Sequence, residues 1–156
     1  MSHARSEYTD FQKQAPDAFA AVRALSAIGA KAGLDKQLLE LIKIRASQIN
    51  GCAFCLHMHT SDALAQGESA KRLLLLDAWH ESNLFSARER AALAWTEALT
   101  LVAETHAPDS IYEGLLPHFT PAEITHLTFQ IMTINAWNRL AIGLRMVHPH
   151  DRTEAA

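Results

Sequence analysis

The chain has 156 residues, of which 49% are hydrophobic and 20% charged, with a formal net charge of −3. That length suits one domain that buries about 70% of its unfolded surface and needs no covalent staple, and the weak negative charge gives no basic footprint for nucleic acid. No apolar run approaches the ~18 residues of a membrane span and the first residues are polar, so we expect a cytoplasmic protein with small molecules or proteins as partners, no nucleic acid and no membrane.

Residues 1–15 read as a polar N-terminal arm, with Tyr8 and Phe11 as the side chains that could anchor it. Pro16 fits the first position of a helix, and Phe19, Val22, Leu25 and Ile28 follow at helical spacing towards Gly33. Asp35 can cap a second helix, which carries Leu38, Glu40, Leu41, Ile42 and Ile49 and stops at Asn50-Gly51. A third runs from Cys52 to the stop at Gln66-Gly67. In the fourth, Lys71 to Trp79, the run Leu73 to Leu76 leaves no polar face and predicts burial on several sides, in the core or between subunits.

Ser86 and Glu89 form a capping box that opens a helix through Val102. His106-Ala-Pro108-Asp109 interrupts the chain, and a short helix with Ile111, Leu115 and Leu116 follows. Thr120, Pro121 and Glu123 then combine an N-cap, a proline at the first helical position and a capping-box glutamate. The helix they open, from Ile124 to Leu144, is apolar nearly all round and is expected at the centre. His148-Pro149 ends it, leaving a polar tail over 149–156. No segment alternates with period two. The fold class expected is all-α, a single compact bundle of about seven helices over residues 16–148.

The chemistry concentrates between residues 40 and 59. Both cysteines of the chain lie there, at 52 and 55, directly after the Asn50-Gly51 stop. If Cys52 opens a helix, a rotation of about 100° per residue puts Cys52, Cys55 and His59 within an arc of about 60°. Cys55 and His59 are then i,i+4 neighbours, and the amides of the first turn favour a thiolate.

Other readings of the pair are a structural disulfide, two packed core thiols, or zinc held by Cys52, Cys55 and His57 or His59. The disulfide would close too short a loop to stabilise much. The zinc set lacks a second C-x-x-C or H-x-x-x-H pair. Dithiol redox chemistry suits a reducing compartment best, and no cofactor or metal is expected. Cys55, next to His59, is the better candidate for the thiolate, while Cys52, nearer the helix start, is expected to be the more accessible sulfur; thioredoxin-like logic, in which the first cysteine of a C-x-x-C attacks, gives the reverse order. Spacing alone gives Glu40 only an ordinary helix ion pair with Lys36 or Lys43.

Glu40, Cys52, Cys55 and His59 fit E-x11-C-x-x-C-x-x-x-H. This pattern resembles the signature of the alkylhydroperoxidase D group in the carboxymuconolactone decarboxylase-like superfamily, and the resemblance runs from about Leu38 to about Met146. It includes the segment Asn135-Ala-Trp137-Asn138-Arg139.

The resemblance implies an alkylhydroperoxidase D-like fold and a peroxidase that reduces hydrogen or organic hydroperoxides. In it Cys55 attacks peroxide, Cys52 resolves to a Cys52-Cys55 disulfide and faces the reductant, and Glu40 acts with His59 as proton relay. It further implies a thiol reductant, of lipoyl type or a peroxiredoxin, and a homo-oligomer, trimer or hexamer. One position departs from the pattern: Phe54 stands where the group has a histidine between the cysteines. The alternatives are a carboxymuconolactone decarboxylase, whose members typically lack the cysteine pair, and a non-catalytic thiol redox sensor.

Overall fold

The structure is a computed structural model and describes Arg5, residues 8–28 and residues 33–148. The expected tail at 149–156 lies outside the described residues, as do most of residues 1–7 and the side chain of Tyr8. Helices joined by turns make up the described residues, with no strand among them: α1 (Tyr8–Gln14), α2 (Pro16–Ile28), α3 (Lys36–Asn50), α4 (Ala53–Ala65), α5 (Ala70–Leu75), α6 (Ala87–Thr100), α7 (Val102–Thr105), α8 (Asp109–Glu113) and α9 (Pro121–Gly143). A 3-10 turn, Leu76–Ala78, follows α5. This is the expected all-α bundle, with two more helices among the described residues than the expected seven, one in the arm and one after α6.

The first extra element is α1. Its Phe11 is buried and packs against Phe19 of α2, ring centroids 5.8 Å apart. The second is α7. Leu101, at φ −101° and ψ 32°, ends α6 at Thr100, two residues short of the expected Val102, and the Thr105 hydroxyl donates back to the Ala98 carbonyl.

Local capping sets the other boundaries. The Asp35 carboxylate accepts from the Gln37 and Leu38 amides, and capping boxes are complete at Ser86/Glu89 and Thr120/Glu123. Each box satisfies amides that a helix start would leave unpaired.

The centre is shared by α3 and α9. Helix α3 sends side chains into all three apolar clusters: Leu38 and Ile42 towards α6 and α9, Leu41 and Ile44 towards α4 and α5, and Ala46 towards the cysteines. Helix α9 is buried along Leu127, Ile131, Ile134, Asn138 and Ala141. Contrary to its all-round apolar sequence, it leaves Phe129, Met132 and Ile142 exposed. The leucine run also divides: Leu73 and Leu76 are buried, while Leu74 is 82% exposed. A six-residue helix on the rim of one chain has only one side to bury. No helix among the described residues is long and apolar enough to cross a membrane.

Candidate active site

The turn between α3 and α4 builds the site. Gly51 has φ 69° and ψ 36°, the left-handed conformation that a residue with a Cβ adopts only at a cost. Its amide donates to the Gln48 carbonyl, and the Cys52 amide to the Ser47 carbonyl, so the last carbonyls of α3 are satisfied while the chain reverses. Cys52 is therefore the N-cap of α4 rather than its first helical residue, and its Sγ accepts from the Cys55 amide at 3.4 Å. Helix α4 then carries Cys55 and His59 on its buried side.

The two sulfurs are unequal. The Cys52 thiol is lowered to about 7, chiefly by a hydrogen bond from the Cys55 thiol, which outweighs burial; the Cys55 amide, the Asn138 side chain and the Phe54 amide add to the lowering. The Cys55 thiol is pushed up because it holds its proton as donor to Cys52, because it is buried, and because a second negative charge beside the first is disfavoured. The amides at the start of α4 point at its N-cap, so this arrangement favours the anion on Cys52, where the His59 spacing had suggested Cys55.

Accessibility also departs from expectation. Cys52 is 1% exposed and packs under Ala46, Ile134 and Ala141. Cys55 is 2% exposed but borders a cavity, together with His59 and Phe54, that Cys52 does not reach.

Glu40 and His59 meet across the turn. Glu40, 6% exposed, accepts from His59 Nδ1 at 2.8 Å on Oε2 and from Lys43 Nζ at 2.8 Å on Oε1. Burial alone would raise its carboxyl. The hydrogen bond and charge of His59, followed by Lys43, outweigh burial and hold the group below its ordinary value. The i,i+3 pair with Lys43 is the helix ion pair legible from spacing; the bond to His59 is the one that spacing cannot supply. Glu40 and His59 also bring ligand atoms within 4.8 Å of those of the exposed Asp62, but the Lys43 ammonium already occupies one Glu40 oxygen.

An amide network backs the cysteines, built in part from the Asn135–Arg139 segment that the resemblance singled out. Asn138 is fully buried. Its Oδ1 accepts from Asn50 Nδ2 at 2.9 Å and its Nδ2 donates to Ser47 Oγ at 3.0 Å, which fixes the amide so that it can also donate to the sulfurs. Asn50 Nδ2 also donates to Asn135 Oδ1 at 3.0 Å, and Asn135 in turn donates to Thr100 Oγ1. The available signal was two asparagines three apart on an otherwise apolar helix, because buried amides there need partners. Arg139 donates to the Asn135 carbonyl and side chain. His57 stacks on His148 with ring centroids 5.1 Å apart.

The cavity has a volume of about 470 Å³, within the usual range for small-molecule sites of about 300 to 1,000 Å³. Helix α2 closes one side of it: Trp137 Nε1 donates to Ser26 Oγ at 2.9 Å, and Gln130 Nε2 to the Leu25 carbonyl at 3.3 Å.

Residues 16–98 match the model of the carboxymuconolactone decarboxylase family. The chain is 36% identical to the uncharacterised protein YdfG of Bacillus subtilis over 89% of its own length and 95% of YdfG. It superposes with a TM-score of 0.90, at 42% identity, on a protein of unknown function from Agrobacterium tumefaciens suggested to be the antioxidant defence protein AhpD, covering 96% of this chain and 100% of that one. The debrominase Bmp8 shares the fold, with a TM-score of 0.76 at 16% identity over 88% of this chain and 74% of Bmp8. With the turn, the helix pair and the cysteine-bearing α4 in place, the chain belongs to the carboxymuconolactone decarboxylase family, as an alkylhydroperoxidase D-like member.

Proposed function

We propose that the protein is a dithiol peroxidase that reduces organic hydroperoxides through Cys55 and Cys52. The observation that carries this reading is that Cys55 and His59 border one cavity while Glu40 holds His59 at 2.8 Å and Cys52 lies behind Cys55 as its hydrogen-bond acceptor. The 42% identical Agrobacterium protein, suggested to act in antioxidant defence, agrees with it.

In the first step His59 takes the Cys55 proton, and the Cys55 thiolate attacks the terminal oxygen of the hydroperoxide. The O–O bond breaks, Cys55 becomes a sulfenic acid, and the departing alkoxide takes a proton from His59. The Cys52 thiolate then attacks the Cys55 sulfur. The S–S bond forms, the S–O bond breaks, and hydroxide leaves as water with the proton that Cys52 had given up to solvent. One hydroperoxide and two thiols give one alcohol, one water and one disulfide; the sulfurs supply both electrons.

The lowered pKa of Cys52 serves the second step, because a thiolate is the attacking species. It also changes the expected route of reduction. An external thiol that enters the cavity meets Cys55, forms a mixed disulfide there and expels Cys52, the sulfur better able to leave as an anion. A dithiol of lipoyl type supplies both electrons and has an apolar body suited to the wall formed by Phe54, Met58 and Trp137.

The test is steady-state consumption of cumene hydroperoxide with dihydrolipoamide as donor. We expect turnover that Cys55→Ser abolishes. No consumption by reduced wild-type protein would remove the peroxidase reading and leave the thiol sensor.

A further inference from the structure

The cavity beside Cys55 carries an excess of positive charge in a chain whose net charge is −3. Two cations border it, Lys43 and Arg23, and none of its lining residues is acidic. Lys43 is committed to Glu40 at 2.8 Å. Arg23, on α2, pairs with no carboxylate among the described residues; its guanidinium lies 5.9 Å from the centre of the Phe19 ring. The rest of the wall is largely apolar, built from Phe54, Met58, Ile134, Trp137 and Met146. A planar guanidinium at the side of an apolar cavity is suited to a carboxylate, which it can engage with two parallel hydrogen bonds.

We propose that the substrates of this site are organic hydroperoxides whose apolar body carries a carboxylate, with Arg23 as the partner of that anion. The inference rests on the peroxidase reading for its chemistry, but the anion site can be tested without it. The hydroperoxide reaches Cys55 while the apolar body lies along Trp137 and Phe54, and the carboxylate sits against α2. The carboxylate is unchanged in the reaction, and the product is the corresponding hydroxy acid, formed with one water and the Cys52–Cys55 disulfide. Hydrogen peroxide has neither an apolar body nor an anion, so it uses none of these contacts and is the poorer substrate.

The experiment compares para-carboxylated cumene hydroperoxide with its methyl ester in wild type, Arg23→Gln and Arg23→Lys. Arg23 is exposed on α2, so its replacement removes charge without opening the core. We expect wild type to favour the acid over the ester by about threefold to fivefold in kcat/KM, a modest ratio because one side of the pair meets water. The ratio should fall to about one in Arg23→Gln and recover in part in Arg23→Lys. A ratio near one in wild type, or an unchanged ratio in Arg23→Gln, overturns the proposal.

Calorimetric binding of 4-isopropylbenzoate and of its amide to the Cys55→Ser protein separates the two layers. If no hydroperoxide is consumed but the carboxylate still binds better than the amide, and Arg23→Gln removes that preference, the peroxidase reading falls and the anion site stands. If turnover proceeds and neither comparison depends on Arg23, the anion site falls alone.

Discussion

Glu40 Oε2 lies 2.8 Å from His59 Nδ1, although the two residues are nineteen apart and the Asn50-Gly51 turn stands between them. The bond fixes the imidazole so that its other nitrogen is the one left for the cavity, in the manner of a base oriented by a third group. Glu40→Gln keeps an acceptor at this place but removes the charge. Peroxide turnover should fall by about 10- to 100-fold, the range for a group that acts through another.

The same substitution has a stability signature. The folded-state pKa of Glu40 lies below its ordinary 4.5, so its contribution is present above that value and is lost as pH falls through the folded-state value. Thermal unfolding of wild type followed between about pH 5 and about pH 3 should therefore show a steeper loss than that of Glu40→Gln. Parallel curves would remove Glu40 as a stabilising anion.

The sulfurs should titrate one at a time. Thiolate absorbance of the reduced protein should rise by one equivalent with a midpoint near 7, the value to which the Cys52 thiol is lowered. Cys52→Ser should lose that step, and Asn138→Ala should move it upward by removing an amide donor. If the step persists in Cys52→Ser at the same pH, the charge resides on Cys55 and the hydrogen-bond assignment is reversed.

How much of this was legible in the sequence depended on distance along the chain. The capping boxes at Ser86/Glu89 and Thr120/Glu123 join residues three apart and could be read directly, as could the placing of Cys55 and His59 on one side of α4. The contacts of Cys52 were hidden. An N-cap looks outward on an isolated helix, and only the packing of Ala46, Ile134 and Ala141 over it makes it the buried sulfur. The Asn50–Asn138–Ser47 network spans 88 and 91 residues, and Asn50 by itself reads as a turn residue. Nothing in the spacing of α2 indicates that Arg23 comes to border the cavity of a helix two elements later.

Phe54 borders the cavity and packs beside the cysteines. Where the alkylhydroperoxidase D pattern has a histidine, this chain offers an apolar ring face to an incoming reductant. Phe54→Ala should raise KM for dihydrolipoamide more than for glutathione. Phe54→His should raise turnover with glutathione by no more than about tenfold, the worth of one neutral hydrogen bond. Equal effects on both reductants would reduce Phe54 to a packing residue.

Self-association is expected from the surface. Leu74 at 82% exposure and Met132 at 53%, together with Phe129 and Ile142, leave more apolar side chain in water than one small bundle usually does. Light scattering should give a multiple of 17.2 kDa, and Leu74→Glu or Met132→Glu should lower it. A monomer of 17.2 kDa at micromolar concentration would contradict this.

The division of labour between the sulfurs is tested most directly by trapping. Reduced Cys52→Ser protein is treated with one equivalent of cumene hydroperoxide and a sulfenic-acid reagent, and the adduct is located by mass spectrometry. We predict one adduct on Cys55, one equivalent of peroxide consumed and no further turnover, because the resolving thiol is absent. No adduct on Cys55, together with a sulfenic acid on Cys52 in the matching Cys55→Ser protein, would contradict the account.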